Sequence, residues 1–306
     1  MFSYRHGFHA GNHADVLKHI TLVAILQHLT QKDTPLTVID THAGAGLYRL
    51  DGDYAHTSGE ADEGILRLLK QKTEDETINA YRALIAQFNS GNLLSQDTKV
   101  YPGSPFITQK LLRYDDRLRL FELHPNDHRF LEGNVEQLRV NRQVAVKRED
   151  GFDGLKAMIP PPKSATGSRR ALVLMDPSYE IKSDYQKVEL AIQDALKRFA
   201  TGCYAVWYPI IPRQEAHGLP RRLKTLASQA GKPFLHATLN VGGTGLDMDA
   251  VGTFAAHRTG SVSRGLSASG MCIINPPHTL KATLDAALPE LVRYLGRGKG
   301  QGFTVE

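Results

Sequence analysis

Leu36-Thr37-Val38-Ile39-Asp40-Thr41-His42-Ala43-Gly44-Ala45-Gly46 is the stretch that decides the fold. An apolar and β-branched run ends in an acid and passes at once into an Asp-x-x-x-Gly-x-Gly loop. A buried strand of an open α/β sheet hands over to a ligand-binding turn in this way. The glycines permit positive φ and close backbone approach, which suits a nucleoside lying over the strand end. Arg49 stands where a dinucleotide fingerprint has its third glycine, so pyrophosphate fits the loop poorly. A lone Gly-x-Gly is a weak signal, and the rest of the chain has to support it.

Three further strand ends do so. Leu118-Arg119-Leu120-Phe121 runs into Glu122, Val144-Ala145-Val146-Lys147 leads to Asp150-Gly151, and Ala171-Leu172-Val173-Leu174-Met175 runs into Asp176-Pro177-Ser178-Tyr179. Each acid alone also reads as a solvated strand end, and Asp-Pro alone as a turn. Four acids in this order fit the carboxyl edge of a Rossmann-like sheet, where the second strand's acid takes ribose hydroxyls and the third's can take an adenine amine. At the fourth, Pro177 has a fixed φ and no N–H, so it stiffens the turn. It holds the Asp176 carboxylate and nearby carbonyls at one spot while Tyr179 offers a ring. Such a site suits a flat base with an exocyclic amine. That nitrogen is a poor nucleophile until acceptors hydrogen-bond its N–H groups, and the base must first leave its stack.

About 76 residues separate Gly46 from Glu122, where a plain unit needs about 20, so roughly 50 have been inserted. Residues 61–70 and 78–88 carry apolar side chains at helical spacing. The expected architecture is a Rossmann-like domain over 1–50 and 101–306, with a small helical subdomain at 51–100. Whether the insert lies beside the cleft for that base or against the main sheet is open. Helix resumes after Tyr101-Pro102-Gly103, with Ser104 as N-cap and Pro105 first in the helix. Asn12 is a candidate cap for the first helix. Later, 188–199 and 221–230 read as helices, and 203–208, 234–241 and 271–274 as strands. The sum is a seven-stranded, mostly parallel sheet whose last strand runs antiparallel.

The 306 residues, 41% of them hydrophobic, suffice for a large core. Both cysteines, Cys203 and Cys272, lie in apolar runs and read as buried thiols. No signal pattern opens the chain, and no run nears the roughly 18 apolar residues of a membrane span, so cytoplasm is the expectation. Net charge is +5 and the isoelectric point near 9.1, which suits a polyanionic partner and equally an ordinary basic protein. Arg213, Arg221, Arg222 and Lys224, with Arg293, Arg297 and Lys299, are candidate phosphate contacts. The glycine-rich tail, 296–302, is expected to be mobile without RNA. The long Gly/Ser/Thr stretch at 242–270 reads as an RNA-facing loop or a passive excursion.

Several of these motifs together closely resemble the ribosomal large-subunit RNA methyltransferase J family. They are the opening Met1–His19, Asp40–Gly46, Tyr101-Pro102-Gly103-Ser104-Pro105, Glu122-Leu123-His124-Pro125 and Trp207-Tyr208-Pro209. The resemblance spans nearly the whole chain. It implies a class I methyltransferase that uses S-adenosylmethionine to methylate N6 of one adenine in 23S rRNA. His19, His42, Ser104, Glu122 and Asp150-Gly151 would line the cofactor site, joined by Lys18, Asp40, Gly44 and Gly46. Asp176 would meet both the cofactor and the amine, assisted by Pro177 and Tyr179. Tyr4 and His6, with Tyr179, would contact RNA. Ser178 departs from the wider motif, which has a second proline there, and this puts rate and base positioning in question.

Rival readings remain. Asn275-Pro276-Pro277-His278 is the other common spelling of the motif, set against a plain turn ending an edge strand. His6, His9, His13 and His19 with Asp15 could ligate a transition metal, but spacing argues against it and no metal is expected. A DNA adenine methyltransferase and a catalytically weak RNA-binding module are the functional alternatives. A monomer without an obligate protein partner is the expected state.

Overall fold

The computed structural model describes residues 6–52, 59–89, 98–140, 142–165, 167–243 and 266–306. Its strands are β1 (Thr37–Asp40), β2 (Leu47–Arg49), β3 (Val100–Pro102), β4 (Arg117–Phe121), β5 (Val144–Lys147), β6 (Ala171–Met175), β7 (Cys203–Pro209), β8 (Phe234–Asn240), β9 (Ala268–Ile274) and β10 (Gly302–Val305). The main sheet has eight strands in the order β10-β8-β9-β7-β6-β1-β4-β5. Strand order reverses beside β1, whose neighbours β4 and β6 are both parallel to it. A ligand crevice opens at such a switch point. β9 is antiparallel to β7 and to β8, so β8 regains the common direction.

The eighth strand corrects the sequence reading. The tail that looked mobile turns at Gly298 and Gly300 and returns as β10, antiparallel to β8 from Gly302↔Asn240 to Val305↔Ala237. Arg297 N–H donates to Val241 O at 2.6 Å and Glu306 N–H to His236 O at 2.9 Å. The glycines serve a tight return rather than a loose end.

Strand residues alternate between two apolar cores, as the pleat requires. Val38, Leu118, Leu120, Leu172 and Leu174 join the first helix, His13–Leu29, and the last, Leu280–Leu295. Ile39, Phe121, Val173, Met175 and Val206 join helices Ser183–Arg198 and Gln214–Gln229 on the other face. Cys203 and Cys272 are buried free thiols. Asn12 caps the first helix, accepting from Ala14 and Asp15 N–H at 2.9 Å each.

On either side of the segment read as an insert, β2 and β3 pair antiparallel from Leu47↔Pro102 to Arg49↔Val100. Its described helices are Glu60–Glu63, Ile65–Leu69 and Glu76–Ala86. The helix read at 61–70 is broken at Gly64, because the chain there touches the start of the molecule. Ile65 N–H donates to Gly11 O at 2.7 Å, and a Cβ on Gly64 would lie 2.1 Å from Gly11 O and 2.7 Å from Asn12 Cα. Ile65, Leu68, Leu69, Ile78, Tyr81, Leu84 and Ile85 enter the same core as the first and last helices. The insert therefore packs onto the helical layer covering the sheet. Gly64→Ala should destabilise the protein by about 1–3 kcal/mol, since backbone must move to admit the methyl. Denaturant unfolding would measure it, and an unchanged midpoint would refute this account of the contact.

Candidate active site

The carboxyl ends of β1, β4 and β6 lie side by side and are stitched together just beyond the strands. Thr41 N–H donates to Leu174 O at 3.1 Å and Ala43 N–H to Phe121 O at 2.9 Å. Gly44 and Gly46 take the positive φ expected of them, 61° and 79°. Gly44 N–H donates to Glu122 Oε2 at 2.8 Å and His124 N–H to Oε1 at 2.7 Å. Each Glu122 oxygen keeps a lone pair for another donor. Burial pushes the Glu122 carboxyl up to about 7, against those two N–H bonds.

Asp40, nearly fully buried, is pushed up by burial to about 6, although Ser104 Oγ donates to its Oδ2 at 2.6 Å. That bond corrects the reading of Ser104 as a cap. Gly103 is the N-cap and Ser104 the first residue of helix Ser104–Leu111, so its hydroxyl serves the acid instead. Asp150 caps helix Gly151–Met158 through Phe152 N–H at 2.9 Å. A Cβ on Gly151 would fall 1.8 Å from Thr41 O, so only glycine lets this helix start abut the β1 loop. His42 is half-buried, edge-on to Phe152 at 5.0 Å, and held neutral by burial, its pKa lowered to about 4.

Asp176 sits one step beyond β6, its side chain 13% exposed, and its Oδ2 accepts from the Lys18 ammonium. Lys18, 6% exposed, also reaches Asp15 Oδ1 at 2.9 Å. Asp15 Oδ2 accepts from Gly11 N–H at 2.9 Å and His6 Nε2 at 3.0 Å. Burial would raise the Asp15 carboxyl, but His6 and Lys18 hold it well below the usual range. The Lys18 ammonium is raised because two carboxylates outweigh its burial. Burial raises Asp176, and Lys18, shared with Asp15, offsets only part of that. Sequence reasoning passed over Asp15 except as a metal ligand. Its signal was acid-to-base spacing of three on one helix.

Tyr179 is placed differently from the expectation. Its ring is fully buried, 4.5 Å from Tyr185 and 6.1 Å from Trp207 between centroids, and its hydroxyl donates to Trp207 O at 2.7 Å. It has positive φ, 54°, and braces the turn from behind instead of offering a face. Trp207 is the half-buried ring beside it. Lys18 Nζ lies 6.0 Å from its centroid, and its Nε1 has no partner among the described residues. His6, in the short 3₁₀ turn His6–Phe8, lies edge-on to Tyr48 at 5.2 Å, while Tyr4 lies outside the described residues. Much of the 242–270 stretch lies outside them too.

Asn275-Pro276-Pro277-His278 does not compete for the chemistry. It follows antiparallel β9, so it emerges at the amino edge of the parallel strands, and Asn275 Nδ2 donates to Ala200 O and Gly202 O at 2.9 and 2.7 Å. β9 lies between β7 and β8 rather than at the sheet's edge, so strand direction removes the motif from the site. Several arginines read as phosphate contacts have partners within the chain. Arg213 holds Tyr179 O at 3.0 Å, Arg222 pairs with Glu189 at 2.7 Å, and Arg297 with Glu63 at 3.8 Å. The N-terminal histidines take separate partners: His9 bonds Glu60 at 3.0 Å, and His13 donates to Leu266 O at 2.6 Å. No cluster of metal-ligating groups occurs among the described residues.

The strand order, the glycine loop after β1 and the acid-proline turn after β6 define a Rossmann-like methyltransferase. Residues 33–305 match the family model "Ribosomal RNA large subunit methyltransferase D, RlmJ", and the chain belongs to that family. It is 41% identical over 306 residues to ribosomal RNA large subunit methyltransferase J of Haemophilus influenzae, covering 100% of this chain and 98% of that protein. The Escherichia coli protein of the same name is 41% identical over 291 residues, covering 95% and 93%. The crystal structure of protein LPL1258 from Legionella pneumophila superposes with a TM-score of 0.79 at 33% identity, covering 97% of this chain and 98% of that one.

Tyr179→Phe should cost about 0.5–1.5 kcal/mol, the worth of the hydroxyl's bond to the Trp207 carbonyl. Stability unchanged in chemical denaturation would show that the hydroxyl does not brace this turn.

Proposed function

We propose that the chain transfers the methyl group of S-adenosylmethionine to N6 of one adenine in 23S rRNA, with the base turned out of its stack. The observation that carries this reading is the part-buried Asp176 carboxylate, fixed by Lys18 at the stiff turn after β6. An acceptor placed there hydrogen-bonds the amine N–H and takes up positive charge as nitrogen gives its lone pair to the methyl. Pro177 fixes the turn, and Tyr179 acts as its brace. Trp207 supplies an aromatic surface for a base, a contact worth about 1–3 kcal/mol in single-strand recognition. Tyr4 and His6 precede the first helix and are read as RNA contacts. The protein is read as a monomer acting in the cytoplasm, with 51–100 as an insert in the domain formed by 1–50 and 101–306.

The residues at the strand ends fit the cofactor's groups. Glu122 has lone pairs left for ribose hydroxyls, Asp150 stands one strand further out, and Gly44 and Gly46 bring backbone close. His19 Nε2 is a buried polar atom with no partner among the described residues, which suits a bound polar group. His42, Ser104, Asp40 and Gly151 complete this wall, and Lys18 joins it to Asp176. Bound there, the cofactor supplies a methyl made electrophilic by its sulfonium. The chain supplies alignment, exclusion of water and the acceptor at Asp176.

Tritiated methyl transfer to unmodified 23S rRNA and to matched DNA, followed by nucleoside analysis, tests the reading. N6-methyladenosine from rRNA alone is expected, and label in DNA would move the substrate class. Asp176→Ala should abolish transfer while largely sparing cofactor binding, and wild-type turnover by the purified variant would refute the assignment. Ribose hydroxyls donate to ionised Glu122 and lower its pKa on binding, so affinity should fall as pH drops through about 7. Calorimetric titration from pH 8 to 6 should show a weakening of up to about tenfold per pH unit. The slope should flatten in Glu122→Gln, and an equally steep slope there would exclude Glu122 as its source.

A further inference from the structure

His19 is fully buried on the first helix, facing two phenols from the other side of the insert's root. Its Nδ1 lies 2.8 Å from the hydroxyl of Tyr101, in β3, and 3.4 Å from that of Tyr81, in helix Glu76–Ala86. The two hydroxyls are 2.8 Å apart. Burial lowers the imidazole to about 3, so the ring is neutral near pH 7 and carries a single N–H. Both phenols are raised well above their ordinary range, again by burial, and keep their protons.

Counting protons decides where that N–H sits. If Nδ1 carried it, Nδ1 would donate to Tyr101, Tyr101 would donate to Tyr81, and the Tyr81 proton would have no acceptor in the cluster. If Nε2 carries it, Tyr81 donates to Tyr101 and Tyr101 donates to the Nδ1 lone pair, so both phenol protons are used. Either tautomer leaves one donor over, but Nδ1–H also strands the buried Nε2 lone pair, and that extra unsatisfied group, at about 1–3 kcal/mol, favours Nε2–H. The atom left over is then Nε2–H, which has no acceptor among the described residues.

We propose that Tyr101, backed by Tyr81 of the insert, is a positioning residue that locks His19 as its Nε2–H tautomer and so presents a hydrogen-bond donor to the carboxylate of S-adenosylmethionine. The inference rests on His19 being a cofactor contact, as read above. It makes the insert part of cofactor recognition although both phenols are fully buried. Tyr101 also lies two residues before Gly103, whose N–H bonds Gly46 O of the glycine loop at 2.8 Å, so cluster and loop share a wall.

Selective ¹⁵N-histidine labelling of the full chain without ligand tests the tautomer directly, with His19 assigned by its loss in His19→Asn. A lone-pair-type Nδ1 and a protonated Nε2 are expected, and the reverse pattern overturns the proposal whatever any variant does. In the double variant Tyr81→Phe/Tyr101→Phe, of nearly unchanged volume, the His19 signals should move toward a mixture of tautomers. Its dissociation constant for S-adenosylmethionine, measured by calorimetry, should rise about 2- to 12-fold, the equivalent of one hydrogen bond. Its kcat at saturating cofactor should hold. Unchanged signals and affinity in the double variant, where His19→Asn does weaken binding, would sink the proposal alone. Undiminished affinity in His19→Asn would sink the cofactor reading of His19 and the proposal with it.

Discussion

One ammonium group, that of Lys18, sits where water scarcely reaches, and two carboxylates share it. An isolated charge so buried would neutralise itself, and removing one partner from a buried pair typically costs about 3–5 kcal/mol. The first helix must therefore begin directly over the end of β6. Asn12 caps it at that height, and Gly11 N–H and His6 hold Asp15 in place from the other side. With one positive charge between two acids, Asp176 retains unmet negative charge and a raised pKa. A residue asked to accept hydrogen bonds from an incoming amine needs such a carboxylate, ionised but incompletely satisfied.

The strand ends explain how much of this was legible. Asp40, Glu122, Asp150 and Asp176 each follow an apolar run with a period-two pleat, and the acid after a strand is a local feature that sequence order preserves. Reading them gave the sheet and its chemical edge. Partner choice was not legible, because it depends on what the fold brings across space. Ser104 lies beside a proline at a helix start, which is cap chemistry by spacing, yet a buried Asp40 competes for its hydroxyl and wins. Arg213 and Arg297 looked like phosphate contacts, yet the Arg213 guanidinium ties down the Asp176 turn and that of Arg297 pairs with Glu63. The tail's glycines gave the composition of a loose end and the backbone of a tight turn, and composition alone does not separate the two.

Tyr179 shows the same limit within the motif itself. A turn stiffened at Pro177 and relaxed at Ser178 needs support elsewhere, and positive φ at a tyrosine is tolerated only where surroundings over-determine it. Tyr185, the Trp207 carbonyl and the Arg213 guanidinium on Tyr179 O supply that constraint. The ring is used up in support, leaving Trp207 as the aromatic neighbour with a surface still open. The aromatic residue of the motif and the aromatic surface beside the carboxylate are thus two residues, and only their meeting in space relates them.

The insert matters for a reason its helical pattern does not disclose. The first helix is buried without interruption from His13 to Leu26, although a helix lying on a sheet normally turns a polar face to water. The sheet covers one side, and Ile65, Tyr81, Ile85 and the last helix cover the other. Glu60 takes His9 and Asn12, Gly64 abuts Gly11, and Tyr81 reaches toward His19, so these ties lead to that helix or the turn before it. Were the insert a free-standing appendage, Asp15, Lys18 and His19 would lie on a wet face with ordinary pKa values. By closing the helix off from water, the insert lowers the local dielectric around them, and with it sets the electrostatics of Asp176 at a distance.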